Sequence, residues 1–317
     1  MRISTVMMHK LLKGLIVIVV LLIQCGDLFA QQNALFSQYM FNTLAFNPAY
    51  AGSRNVATAT ALYRNQWVGI EGAPNTGTFT MDAPFANERL GLGIQLISDK
   101  VGITKTTGIA VSSAFRIPIN DGSLSFGLQG SMNNYHAAYS RVNLDPSVPD
   151  RAFTSDANKT LYNFGSGIYY RNSRLYAGFS VQDFVRNRLN NDTIDVGDVT
   201  ARQSAHAYLA TGYVFPLGLD FNLKTSMLLK GVKGAPLQAS LNTTLWIKEL
   251  IAIGVEYRTS ADISAMMEVK VSPRVSIGYA YDKSMTSLRT LNSGSHEFML
   301  KYEFSFDRDR ILSPRYF

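Results

Sequence analysis

The side chains able to do covalent or metal chemistry in this chain are few and badly spaced for it. Its four histidines, His9, His136, His206 and His296, lie far apart. No two have the close helical spacing, such as His-x-x-x-His, that lets imidazoles share a metal. Ser166 sits between glycines in NFGSGIYY, but a nucleophile elbow needs Gly-x-Ser-x-Gly on a strand, turn and helix, and this stretch reads as a plain strand with small residues. Gly91 and Gly93 in GLGIQLIS lack the third glycine and the following helix of a dinucleotide fingerprint. The acidic stretch NNDTIDVGD, residues 190–198, lacks the spacing and terminal glutamate of a calcium loop and reads as a solvated loop. These residues predict no catalytic centre, no cofactor and no metal.

The elements that carry them begin with an export signal. Arg2, Lys10 and Lys13 precede an unbroken apolar run at 15–23, and Leu28-Phe29-Ala30 stands before Gln31. That is the three-part layout of a secretory signal peptide, and the run is too short to favour a retained spanning helix. Residues 1–30 are therefore expected to be removed. The only cysteine, Cys25, follows Gln24, where lipid attachment wants a small residue, so cleavage after Ala30 is favoured over lipidation. The mature chain then has no thiol chemistry. Its formal charge of +7 falls to +5 once Arg2, Lys10, Lys13 and Asp27 leave with the signal. Spread without basic blocks, that excess predicts no nucleic-acid partner.

With 46% hydrophobic residues but no later run near the roughly 20 that a spanning helix needs, the mature chain reads as all-β. In HEFMLKYEFSF, Phe298, Leu300, Tyr302, Phe304 and Phe306 alternate with Glu297, Lys301, Glu303 and Ser305. That is the period of two imposed by a strand, with full charges on the second face. Fourteen such segments run from 55–67 to 295–306. Short connections such as Asn120-Asp121-Gly122 and Lys248-Glu249 follow even-numbered segments, and long ones such as 141–160 and 185–203 follow odd-numbered ones. A soluble sandwich alternates too, but it has no reason to sort its loops by length. The expectation is a transmembrane outer-membrane β-barrel of about 14 antiparallel strands over 55–306, with both ends on the periplasmic side and its outer face in lipid. Aromatics near strand ends, Tyr63 and Trp67 among them, suit interfacial girdles. Glu256, Arg258, Glu268, Lys270, Glu297, Lys301 and Glu303 would then face the lumen, where opposite charges can pair and occlude it.

Residues 31–54 fit neither helical nor strand periodicity. Five aromatics crowd into FSQYMFNTLAFNPAYAGS, with Asn47-Pro48 interrupting it and Gly52 near its end. The residue before proline is pushed out of the helical region, and the glycine permits a sharp entry into the first strand. Gln38-Tyr39, Asn47-Pro48-Ala49-Tyr50-Ala51-Gly52, Arg64-Asn65-Gln66-Trp67 and the terminal Ser313-Pro314-Arg315-Tyr316-Phe317 together make the chain resemble the PorP/SprF family of outer-membrane proteins of the type IX secretion system. The resemblance implies a non-catalytic barrel serving secretion and, in gliding bacteria, adhesin export. Its partners would be periplasmic components, namely a peptidoglycan-binding lipoprotein and ring proteins, or one secreted adhesin. On this reading 31–54 is a periplasmic plug or a mere lead-in, and 307–317 is a periplasmic tail. Tyr39, Phe41, Phe46, Asn47, Pro48, Tyr50, Gly52, Arg315, Tyr316 and Phe317 are the candidate plug and docking residues, with the aromatics grouped at an exposed rim. A general diffusion or uptake channel is the alternative.

Overall fold

A computed structural model describes residues 36–54, 56–85, 88–142, 155–189, 202–259 and 261–304. The export signal with Cys25, the acidic stretch 190–198 and the tail with Arg315, Tyr316 and Phe317 lie outside the described residues. Fourteen strands follow one another: β1 (Ala57–Asn65), β2 (Asn75–Phe85), β3 (Leu90–Val101), β4 (Thr104–Ile119), β5 (Gly122–Ala137), β6 (Ala157–Arg171), β7 (Leu175–Gln182), β8 (His206–Pro216), β9 (Phe221–Val232), β10 (Gln238–Ile247), β11 (Ile251–Arg258), β12 (Asp262–Ser272), β13 (Val275–Ser284) and β14 (Ser295–Phe304). Each pairs antiparallel with its neighbours in sequence, and β1 pairs with β14 from Ala57 opposite Phe304 to Asn65 opposite His296, which closes the sheet. Closure leaves no unpaired edge, the condition for a sheet to cross hydrocarbon. No helix among the described residues is long and apolar enough to cross a membrane.

The side-chain distribution is inverted relative to a soluble protein. Arg64, Lys224, Glu256, Glu268 and Glu297 are at most 3% exposed, whereas Leu128, Phe164, Leu300 and Val255 are more than half exposed. Strand alternation produces this: on β12 the burial switches at every residue from Asp262 to Glu268, with Asp262, Ser264 and Glu268 inward and Ile263 and Met267 outward. A sandwich would bury the apolar row instead, so the membrane barrel is the architecture this pattern supports.

One end of the barrel carries the start of β1, the end of β14 and the tight turns, and the other carries the connections 138–156, 183–205 and 285–294. The segment before β1 reaches this second end at Phe36, beside Arg258, so the expectation of both ends at the turn end fails for the described residues of that segment. At the turn end Lys248 and Glu249 both take positive φ, at 50° and 57°, the geometry a two-residue hairpin turn needs to match strand twist. The loop end is less uniform than the sequence suggests. The link after β3 is only Gly102–Ile103 wide, because β3 and β4 stay paired from Leu90 and Phe115 up to Val101 and Thr104. Gly102, at φ 56°, supplies the left-handed conformation that such a turn demands, and the polar run Ser98-Asp99-Lys100 hid the strand's last turn of pleat.

Because Leu300 stands on the outward row of β14 at 53% exposure, a charge there meets hydrocarbon. Leu300→Arg should cost about 2 to 4 kcal/mol and lower the folded fraction, while Leu300→Val should change little. Heat-modifiability on a gel reads the folded barrel, and indistinguishable behaviour of the two variants would contradict the assignment of faces.

Candidate functional site

The residues before β1 run lengthwise through the lumen. Three single turns of 3₁₀ helix, Tyr39–Phe41, Thr43–Ala45 and Pro48–Tyr50, compact a stretch too short of periodicity for an α-helix. The last turn has a defined start. Asn47 is extended, at φ −134° and ψ 108°, as the residue before proline must be, and its side chain accepts from the Ala49 N–H at 3.0 Å. Pro48 occupies the first helical position, where a missing N–H costs nothing. Gly52, at φ 65°, then turns the chain into β1.

At the loop end, Ser37 and Gln38 are held by charges. Their backbone N–H groups each donate to one carboxylate oxygen of Glu297 at 2.9 Å. The Ser37 hydroxyl donates to Asp282 at 2.8 Å. Arg64 donates to Ser37 Oγ at 3.0 Å and to Glu297 at 3.1 Å, and pairs with Asp282 at 2.5 Å. Arg258 reaches the Phe36 carbonyl at 3.4 Å and Ser37 Oγ at 3.3 Å, while pairing with Glu256 at 2.8 Å and Asp262 at 3.6 Å. Four ionisable side chains from β1, β11, β13 and β14 thus converge on Phe36, Ser37 and Gln38, and Glu256 and Asp262 pair with one of them, Arg258.

Farther down, Ser180 and Gln182 of β7 donate to the Phe46 and Ala45 carbonyls at 2.6 and 3.2 Å, and Thr80 donates to Asn42 at 2.8 Å. Phe41 meets Trp246 edge-on at 6.3 Å, Phe46 lies 5.9 Å from Tyr208, and Tyr50 meets Tyr169 at 5.4 Å. At the turn end the Gly52 N–H donates to Asp82 at 2.8 Å, Arg116 donates to the Ala51 carbonyl at 3.3 Å, and Arg54 pairs with Glu303 at 3.4 Å.

Inward-facing glycines make the space. A methyl group added to Gly91 would overlap the Ala51 carbonyl, one on Gly127 the Pro48–Ala49 backbone, and one on Gly167 the Asn47 side chain. Gly93 and Gly178 likewise abut Leu44 and Asn47. Gly91, Gly93, Gly127, Gly167 and Gly178 therefore serve packing: they form a trough across β3, β5, β6 and β7 in which 44–52 lies.

Of the sequence-expected lumen charges, Glu256, Arg258 and Glu297 join the loop-end cluster. Glu268 pairs with Lys301 at 3.2 Å, and Lys301 lies over the Phe41 ring at 4.9 Å. Glu303 pairs with Arg54, and Lys270 stands half-buried apart from the others. Among the docking candidates, Asn47, Pro48 and Gly52 shape the last turn. The exposed aromatic rim is overturned: Tyr39, Phe41, Phe46 and Tyr50 are 8% exposed or less, because their rings fill the lumen against strand side chains. Ser37, Asp82, Arg116, Asp262 and Asp282 were missed. Each sits in the inward row of its strand or in the segment, so alternation already marked Asp82, Arg116, Asp262 and Asp282. Which of them meet follows from barrel closure and is not a spacing. Among the described residues no three His, Cys, Asp or Glu side chains are grouped to hold a metal.

An inside-out closed barrel with its own chain threaded through the lumen is an integral outer-membrane barrel protein. The chain belongs to the family of type IX secretion system membrane proteins PorP/SprF, whose model matches residues 28–302. No curated protein matches it significantly. Among solved structures it is similar to the Acinetobacter baumannii outer membrane protein Omp33, at 10% identity and TM-score 0.47, covering 79% of this chain and 98% of that one. It is also similar to a Pseudomonas aeruginosa FadL homologue, at 15% identity and TM-score 0.46, covering 89% and 96%. At those values neither likeness carries an inference for this chain.

If the glycine trough seats the segment, filling it should release the segment. A cysteine placed at Ala49, fully buried, should resist maleimide in protein whose other cysteine, Cys25, is replaced by alanine, and should react when Gly127→Leu is added. Gly130→Leu, on the same strand with open space before it, should leave it protected. Equal labelling in the two backgrounds would contradict the packing.

Proposed function

We propose that this protein is a closed, non-catalytic outer-membrane component of the type IX secretion system. In this reading residues 36–54 act as a fixed plug, and the barrel anchors periplasmic machinery or one secreted adhesin without conducting solutes. The tight-turn end, where β1 starts and β14 ends, faces the periplasm and the long-loop end faces outward, as in other bacterial barrels. The observation that carries the reading is the burial of the segment under Arg64, Arg258, Asp282 and Glu297. A general diffusion or uptake channel would need a wet lumen along the path that Tyr39, Phe41, Phe46 and Tyr50 fill.

Docking then falls to surfaces at the periplasmic end. The plug aromatics are not available to a partner, so Phe41→Ala with Tyr50→Ala should loosen the plug and need not touch docking. The tail SPRYF, with Arg315, Tyr316 and Phe317, keeps by composition the anchor residues of an interface, and a peptidoglycan-binding lipoprotein or a ring protein is the partner class that the family membership favours.

Two measurements separate the readings. In planar bilayers the purified protein should show no large, steady channel, whereas deletion of 36–53 should create one; steady conductance in the intact protein would favour the uptake channel. In cells, Tyr316→Ala with Phe317→Ala should leave the barrel heat-modifiable but reduce both recovery of periplasmic partners and cargo in the medium. Normal recovery and secretion would remove the tail from the docking role.

A further inference from the structure

Outside the lumen, the loop end of β1 to β4 carries a built groove. Residues 66–74 fold over the outward face of the wall and border an open groove of about 660 Å³, lined in part by Tyr63, Trp67, Asn75, Gly77, Lys100 and Lys105. The loop is pinned on both flanks. The Gly102 N–H donates to the Gly72 carbonyl at 2.8 Å, and Val68 exchanges 2.8 Å bonds with Ser293 and Gly294. The floor is open at Gly77, where an added methyl group would meet nothing.

The chemistry along the groove is amphipathic in the direction of the membrane normal. Register places Asn75 opposite Lys100, Lys100 opposite Lys105 and Lys105 opposite His136, giving a polar outward row. Neither lysine makes an ion pair among the described residues. The one acid of the overlying loop, Glu71, is not part of the lining. The Asn75 side chain donates to Tyr63 Oη at 2.6 Å, fixing a polar shelf. Two outward steps toward the middle of the wall stand Phe79, Leu96 and Met132, each about two-fifths exposed. Two free ammonium groups at one level with an apolar wall beneath suit a phosphate above acyl chains.

We propose that this groove binds the phosphate-bearing headgroup of a glycolipid in the outer leaflet, with Lys100 and Lys105 on the phosphate and the Phe79 and Leu96 wall against its acyl chains. The assignment to the outer leaflet rests on the orientation given under Proposed function; the groove itself does not.

Full-length mature protein extracted in mild detergent is examined by native mass spectrometry, for lipid retained from the membrane and for added diphosphorylated lipid A. Wild-type protein should retain and rebind lipid A. Lys100→Gln with Lys105→Gln should weaken rebinding about 25-fold, roughly fivefold per lysine near a membrane surface. Lys248→Gln at the other end of the barrel should not, and heat-modifiability confirms that all three are folded. Undiminished binding by the double variant would overturn the site. Displacement by inorganic phosphate alone would reduce it to an anion pocket and also overturn it. Retention of phospholipid in place of lipid A, lost in the double variant, would contradict the outer-leaflet assignment. Because binding is read on the isolated barrel, a secretion defect or its absence bears on the function proposed above and leaves this result separate.

Discussion

The structure depends on how charge is settled inside a wall that lipid surrounds. A barrel that turns its apolar rows outward must turn its polar rows inward. In a narrow lumen those groups have few waters to satisfy them, and an unpaired buried charge costs several kcal/mol. Here the Arg64 guanidinium is the pivot. It bridges Asp282 and Glu297, and both carboxylates also bind Ser37. The N-terminal segment is thus a member of the lumen's charge network, with Arg258 supplying the second cation and the backbone of Ser37 and Gln38 supplying donors that the strands cannot. Replacing one partner alone would strand the others, which is why such networks tend to hold a single arrangement.

Packing and electrostatics divide the segment's length between them. The loop end is fixed by ions, the middle by aromatic contacts and carbonyls that accept from Ser180 and Gln182, and the turn end by backbone lying on glycine. The last of these needs the least side chain and the most space. Asn47 links the regimes: it caps the turn started by Pro48 and also donates to the Ile168 carbonyl of β6 at 3.1 Å. A segment secured at three levels by different interactions is harder to withdraw than one held by any single contact, and that makes occlusion of the lumen a property of the whole length.

Much of this was legible in the sequence. Period-two alternation with charges on one face located all fourteen strands, because lipid outside and ions inside sharpen the contrast between rows. Glu256, Arg258, Glu297 and Lys301 were recognisable as inward by the same rule. What could not be read was proximity: Ser37 lies 260 positions from Glu297, and only closure of β1 on β14 brings them together. The use of the glycines was hidden for a related reason. Gly91, Gly93 and Gly167 complete no cofactor or nucleophile motif, and what they make room for, the Ala51 backbone and the Leu44 and Asn47 side chains, comes from the segment whose own lack of periodicity gave it no place in the fold. The aromatics of that segment look like an exposed patch in sequence because nothing local says they are covered.

The central claim is that residues 36–53 belong to the folded barrel as firmly as its strands do. Amide hydrogen exchange on the detergent-purified mature protein tests it directly. The account predicts that the Ser37, Gln38 and Gly52 amides, bound to Glu297 and Asp82, exchange on the slow timescale of amides in β1 and β14. Exchange of this segment within seconds, while the strands stay protected, would show that it leaves the lumen readily, and would contradict the account.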